Sequence, residues 1–218
     1  MSTTEIKPYQ TLQILNFVGF FTKIVVNRSI QKANMPRLKE ITADRNMRIF
    51  PAGWAFAIWG IIYLLMATFA VYQALPSSWV PERNDQLIFE DIGYVFITNV
   101  VLNMCWFSIF KANTSTGFLA STFIIIGMLS TAVIMMMKTS RAESLNSCEY
   151  ISMMIGFSIY AGWLTAATIL NICYYLKSIG YQEPKIDEEK VTIILLWIAT
   201  LIYVTGTIRE KNPWYGLV

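Results

Sequence analysis

Uncharged runs alternate with short polar connections along this chain, and most of the runs are long enough to cross a membrane. The clearest covers residues 51–75, which are 25 residues without a charge. As a helix rising about 1.5 Å per residue, it outreaches the ~30 Å hydrocarbon core of a bilayer. Pro51 suits the first turn of such a helix, where its missing N–H goes unneeded. Pro76, followed by Ser77 and Ser78, predicts the stop. Trp54, Phe56, Trp59 and Tyr63 give the helix an aromatic side. Further spans are predicted at about 92–110, 117–137, 150–176 and 191–208. The run at 12–26 is shorter, with Asn16 inside it and Lys23 near its end. It is read as a first span in which Lys23 snorkels to the interface.

The pattern predicts an all-α polytopic membrane helix bundle, with short loops and no solenoid or inverted repeat. Its division is a core over 1–177, then an acidic loop, an extra transmembrane helix and a short tail over 178–218. Composition agrees: 55% of residues are hydrophobic and only 14% charged, where a soluble domain carries about a quarter. Mean hydropathy is +0.48. If every run crosses, the loops after the first, third and fifth share a side. That side holds most of the basic residues, including the linker with Arg28, Lys32, Arg37, Lys39, Arg45 and Arg48 against Glu40 and Asp44. The positive-inside rule places it in the cytoplasm or its organellar equivalent, with both termini opposite. Sequons at Asn27 and Asn113 fall on that side and are expected to stay unglycosylated.

Chemistry is notable for what is missing. There is no histidine, which removes the commonest general base, metal ligand and axial haem ligand. Cys105, Cys148 and Cys173 have no CxxC spacing and read as packing residues. No nucleophile elbow, zincin motif or phosphate-cradling glycine loop appears, and no carboxylate lies within a predicted span. Ion-coupled transport and catalysis are therefore not expected. The net charge of +3 is too small to point to nucleic acid. Asn99, Asn103 and Asn171 are the polar groups inside, and asparagine in a bundle is usually interhelical glue. Ser158, Gly162 and Ala166 fall every fourth residue, a face stripped of bulk for close approach.

Three aromatic motifs carry a resemblance. Trp54-x-Phe56-x-x-Trp59-x-x-x-Tyr63 after Pro51, Leu102-Asn103-x-x-Trp106-x-x-x-Phe110, and Tyr160-Ala161-Gly162-Trp163-Leu164-x-x-Ala167-x-x-Leu170-Asn171 follow one another on the second, third and fifth spans. In that order they resemble the TspO/translocator-protein family of tryptophan-rich sensory proteins (peripheral benzodiazepine receptor-like), over about residues 12–177. The resemblance implies a five-helix core with a pocket opening toward the loop between helices one and two. It implies non-covalent binding there of a large apolar ligand: a tetrapyrrole such as porphyrin or haem, a sterol, or a phospholipid. The pocket wall would comprise Trp59, Trp106, Trp163, Ala167, Leu170 and Asn171. Indole faces stack on a flat macrocycle, Ala167 leaves room, and Asn171 offers a polar handle. The bland alternative is that the tryptophans pack the bundle and Asn171 bonds a neighbouring helix. A sterol-type pattern at Leu170, Tyr174 and Lys177 is permissive enough to arise by chance.

Departures from the family pattern accompany the match. Pro51-Ala52-Gly53 stands where paired prolines are common, and Ile159 replaces a proline at the helix-five motif. The first loop lacks the family's tryptophan, which weakens any lid-dependent chemistry on a porphyrin. The sixth segment and the Asn212-Pro213-Trp214-Tyr215-Gly216 ending lie beyond the five-helix core and look like longer, divergent relatives of the family, in which a further apolar segment is expected. Two functions follow from the resemblance: a non-enzymatic ligand-binding membrane protein, or an accessory subunit of a larger membrane complex that keeps the fold without ligand transport. The partners implied are membrane lipids and either a second copy or that complex, with no nucleic acid. The location implied is a mitochondrial membrane, or a bacterial envelope.

Overall fold

The computed structural model describes residues 9–34, 47–181 and 187–218. Arg37, Lys39, Glu40, Asp44 and Arg45 of the basic linker lie outside the described residues. Every regular element among the described residues is helical. The long ones are α1 (Gln10–Ala33), α2 (Ile58–Ala74), α3 (Gly93–Phe110), α4 (Ser115–Ser140), α5 (Gly156–Ser178) and α6 (Glu188–Glu210), followed by the single turn α7 (Pro213–Gly216). Widened π-type turns at Gln86–Ile92 and Tyr150–Ile155 lead into α3 and α5. Tight Gly53–Ala57 turns lead into α2.

Helix ends follow ordinary capping chemistry. Thr114 accepts from the Gly117 N–H at the start of α4, and Asn146 forms a capping box with Glu149 ahead of α5. Asp187 caps α6. The Lys190 side chain and amide hold its carboxyl below the usual carboxylate range. Lys211 ends α6 in the left-handed conformation at φ 50°, and Asn212 with Pro213 starts α7.

The stretches Gly53–Ala74, Gln86–Phe110, Ser115–Ser140, Ser147–Ser178 and Glu188–Glu210 are long and apolar enough to cross a membrane. The chain is an all-α polytopic bundle. At 24 residues α1 is also long enough, at about 36 Å, though Asn16, Lys23, Asn27, Arg28 and Lys32 leave it more polar than the rest. The run expected at 12–26 is therefore the apolar middle of a longer helix. Pro51 does not occupy the first helical turn as expected. Ala52, after it, is extended at ψ 145°, and the helical turns begin at Gly53.

Helices α1 to α5 form a ring in which α3 packs on α1 and α4, and α5 on α4 and α2, while α1 closes the ring against α2. Close crossing of α1 and α3 depends on glycine. A Cβ at Gly93 would sit 2.3 Å from Leu12, and one at Gly19 2.6 Å from Ile97. The core runs through Phe20, Phe69, Phe96, Phe157 and Tyr160. Helix α5 is the most enclosed, with 61% of its apolar window buried, whereas none of the α6 window is. So α6 stands outside the ring with its apolar faces turned to the surroundings.

The small-residue face of α5 receives a partner, though it is not a full-length helix. Tyr203 of α6 donates its hydroxyl to the Gly162 carbonyl at 2.7 Å, and Asn212 donates to Ser158 Oγ at 2.7 Å. A Cβ at Gly162 would lie 2.7 Å from the Tyr215 carbonyl oxygen. The tail around α7 lies in the slot that Gly162 opens.

At the far end of the bundle, buried Arg83 ties the end of α2 to its loop. It donates to the Leu75 and Gln73 carbonyls at 2.6 and 3.3 Å, to Ser77, and to the carboxylate of Asp85. Beside it, Gln13 and Gln73 exchange side-chain-to-carbonyl bonds between α1 and α2.

Candidate functional site

The predicted site residues gather toward the end of the bundle from which the basic linker leaves, where α1, α3 and α5 end and α2 and α4 begin. They fall into two ring groups on α5. In the first, the indoles of Trp59 and Trp163 meet edge to face at 6.2 Å, Phe56 meets Trp163 at 5.5 Å, and Trp59 stacks on Tyr63 at 5.3 Å. In the second, Trp106 stacks on Phe110 at 5.1 Å, and Tyr174 lies against both Phe110 and Phe118. Phe50 bridges them, with ring centres 5.8 Å from Phe56 and 6.2 Å from Tyr174. The aromatics thus make one continuous arc drawn from α2, α3, α4 and α5. Trp163, Ala167, Leu170 and Tyr174 follow one another at helical spacing along one side of α5. Ala167 is half-buried and Leu170 is buried.

Asn171 does not present a free polar handle. Its carbonyl oxygen accepts from Trp106 Nε1 at 3.0 Å, and its amide donates to Thr122 and Ser121 at 2.8 and 3.0 Å. These bonds tie α5 to α3 and α4, so Asn171 and Trp106 act together as interhelical glue. Asn99 does the same work one layer away, donating to the Met128 carbonyl and Thr131 while accepting from the buried Tyr160 hydroxyl. Replacing Asn171 with leucine is expected to lower stability by about 1–2 kcal/mol while changing the affinity for a flat apolar ligand by less than about twofold. A thermal unfolding series with and without ligand checks both halves.

Trp163 is different. It is 6% exposed, and its Nε1–H has no hydrogen-bond partner. A buried indole donor normally finds an acceptor. A cleft of about 80 Å³ sits between α5, α6 and Met47–Ile49, and one of about 540 Å³ lies between α4, α6 and Tyr215.

The structure corrects one expectation about the first span. Lys23 does not snorkel to the interface but is turned inward and is 1% exposed. Its ammonium lies 4.3 Å from the Phe20 ring centre and 5.2 Å from that of Tyr63. One turn further, Asn27 donates to Asn103 at 2.8 Å, and its own Oδ1 is buried without a partner. The spacing of Leu12, Asn16, Phe20, Lys23 and Asn27 was the sequence signal for this inward face. Phe50, Phe56, Tyr63, Phe110, Phe118 and Tyr174 also belong to the arc and were not among the wall residues that the resemblance implied.

Among the described residues no cluster of metal-ligating side chains is found. Comparison with known families gives one result: the model of the TSPO-like protein family matches residues 13–218, so the matched pattern takes in α6 and the tail. Neither the curated proteins nor the solved structures yield a match.

Proposed function

The chain belongs to the TSPO-like protein family, and from that premise we propose that it is a non-enzymatic membrane protein holding a large, flat, apolar ligand against the ring arc of α2 and α5. The observation that supports this most directly is Trp163, a buried indole whose donor has no acceptor, set beside Phe56 and Trp59. Indole edges and faces at these spacings suit a planar tetrapyrrole, a sterol or a lipid chain, taken up from the membrane rather than from water. Nothing in this site resembles an acid–base pair, and binding would be read out as retention or hand-over of the ligand. All six long helices cross in this reading, α1 included, with both ends of the chain on one side and the ring arc near the basic side. A mitochondrial membrane is the location proposed, with a bacterial envelope as the alternative.

A second reading is supported by a different observation. The polar groups of Trp106 and Asn171 are already spent between helices, and α6 presents an unburied apolar surface. An accessory subunit of a larger membrane complex would keep the fold for its shape and use α6 for docking. Gentle detergent extraction separates the two. A particle of one or two copies carrying a retained tetrapyrrole, sterol or lipid is the expected result. Migration only within a large assembly, with nothing exchangeable bound, would overturn the ligand-holding function.

A further inference from the structure

We infer that Lys23 is an anion-binding residue of the same site, so that the ligand it takes is a flat apolar body bearing a carboxylate. The inference rests on the ligand-holding reading above and adds the chemistry of the ligand to it.

Lys23 is a buried amine in the middle of α1. An amine withdrawn from water holds its charge only beside a counter-charge or a full set of acceptors. None of the ion pairs among the described residues involves it. What it has is the faces of Phe20 and Tyr63. Ring faces attract an ammonium but take none of its three hydrogen bonds. The Tyr63 ring under Lys23 is stacked on Trp59, and Trp59 meets Trp163. The aromatic wall therefore carries an amine without a counter-charge at its α1 end and an unaccepted N–H at its α5 end. Two further polar residues on the inner face of α1 carry unpartnered atoms: Asn27 Oδ1 is buried without a partner, and Asn16 is fully buried with neither amide atom bonded.

An acid suits this arrangement better than a neutral sterol. A carboxylate brought alongside Lys23 restores the missing charge pair in a low-dielectric setting, while the planar body lies against Trp59 and Trp163. A neutral ligand of the same shape would gain the stacking and leave the ammonium uncompensated.

The test uses the full-length protein in phospholipid nanodiscs, with protoporphyrin IX and its dimethyl ester as probes and quenching of tryptophan fluorescence as readout. The two probes share a ring system and differ in the charge of their side arms. The diacid is expected to bind about tenfold more tightly than the diester. Lys23→Met should abolish that preference by weakening binding of the diacid, and Lys23→Arg should retain it. Diester binding by the methionine variant also reports that it is folded, and the wild-type preference stands as a test without any variant. Equal affinity for both probes in the wild-type protein, or a preference that survives Lys23→Met, would overturn the role of Lys23 and leave the ring-lined site in place. Binding of neither probe would overturn the site and the anion role together.

Discussion

Replacing Trp163 with alanine should release a bound flat ligand, weakening its affinity by about 2–4 kcal/mol, or roughly 30- to 1,000-fold in Kd. Trp163 is where the ring arc converges, since it touches Phe56 on one side and Trp59 on the other. Removing it opens the wall at its centre and leaves two rings without their edge contacts. The same truncation deletes a buried indole and should cost about 3–5 kcal/mol of stability. Phenylalanine at this position separates the two effects. It keeps most of the aromatic volume and lacks the unpartnered Nε1–H, so Trp163→Phe should unfold close to wild type and lose affinity by less than about tenfold. Titration of both variants in nanodiscs checks the pair. A folded Trp163→Ala protein that binds as tightly as wild type would mean that the α2–α5 rings are packing and nothing more.

Much of this architecture could be read in the sequence, because crossing a bilayer imposes a length and an apolar composition that few other structures share. The runs at 92–110, 117–137, 150–176 and 191–208 correspond to helical stretches that extend them by a few residues at one or both ends, while the run at 51–75 slightly overshoots its own stretch, Gly53–Ala74. The extensions consist of polar caps and first turns, such as Asn146 to Glu149, which hydropathy ignores. Pro51 misled because proline is equally at home just before a helix, where Ala52 continues extended.

The site was legible in its residue types and not in their partnerships. Trp59 and Trp163 read as one wall and do meet. Asn171 read as a ligand handle or as glue, and only its neighbours Trp106, Ser121 and Thr122 decide that its bonds are already made. Lys23 was misread for a physical reason. A charge near the end of a short apolar run ordinarily escapes to the interface, but α1 continues to Ala33, so Lys23 stands near the middle of a longer helix and is turned into the bundle. The small-residue face of α5 announced a close approach without identifying the approaching element, and the chain's own tail fills it.

Glu149→Ala is expected to cost about 2–4 kcal/mol of stability, the largest effect of any single polar change away from the rings. Its carboxylate is 1% exposed, and none of the ion pairs among the described residues involves it. It accepts from the Asn84 N–H at 2.7 Å, from Tyr72 at 3.3 Å and from the Asn146 N–H at 3.1 Å. Those bonds, together with the N-terminal end of the helix it starts, are what hold a negative charge out of water. Alanine would strand the Asn84 and Asn146 amides and free α5 from the end of α2. Glutamine should cost less, because one acceptor oxygen remains. Thermal unfolding in a fixed detergent measures both. The pairing also bears on where the ligand sits, because α2 and α5 are joined here by Glu149 and Tyr72 and at the other end by Trp59 and Trp163. A ligand bound at the rings stabilises the folded state by mass action, independently of a distant defect. Saturating protoporphyrin IX should therefore raise the unfolding temperature of Glu149→Ala by about as much as that of the wild-type protein. Loss of that ligand-induced rise, with the protein still folded, would move the binding site from the ring arc to the opposite end, where Tyr72, Trp79, Arg83 and Cys148 line a cleft of about 370 Å³.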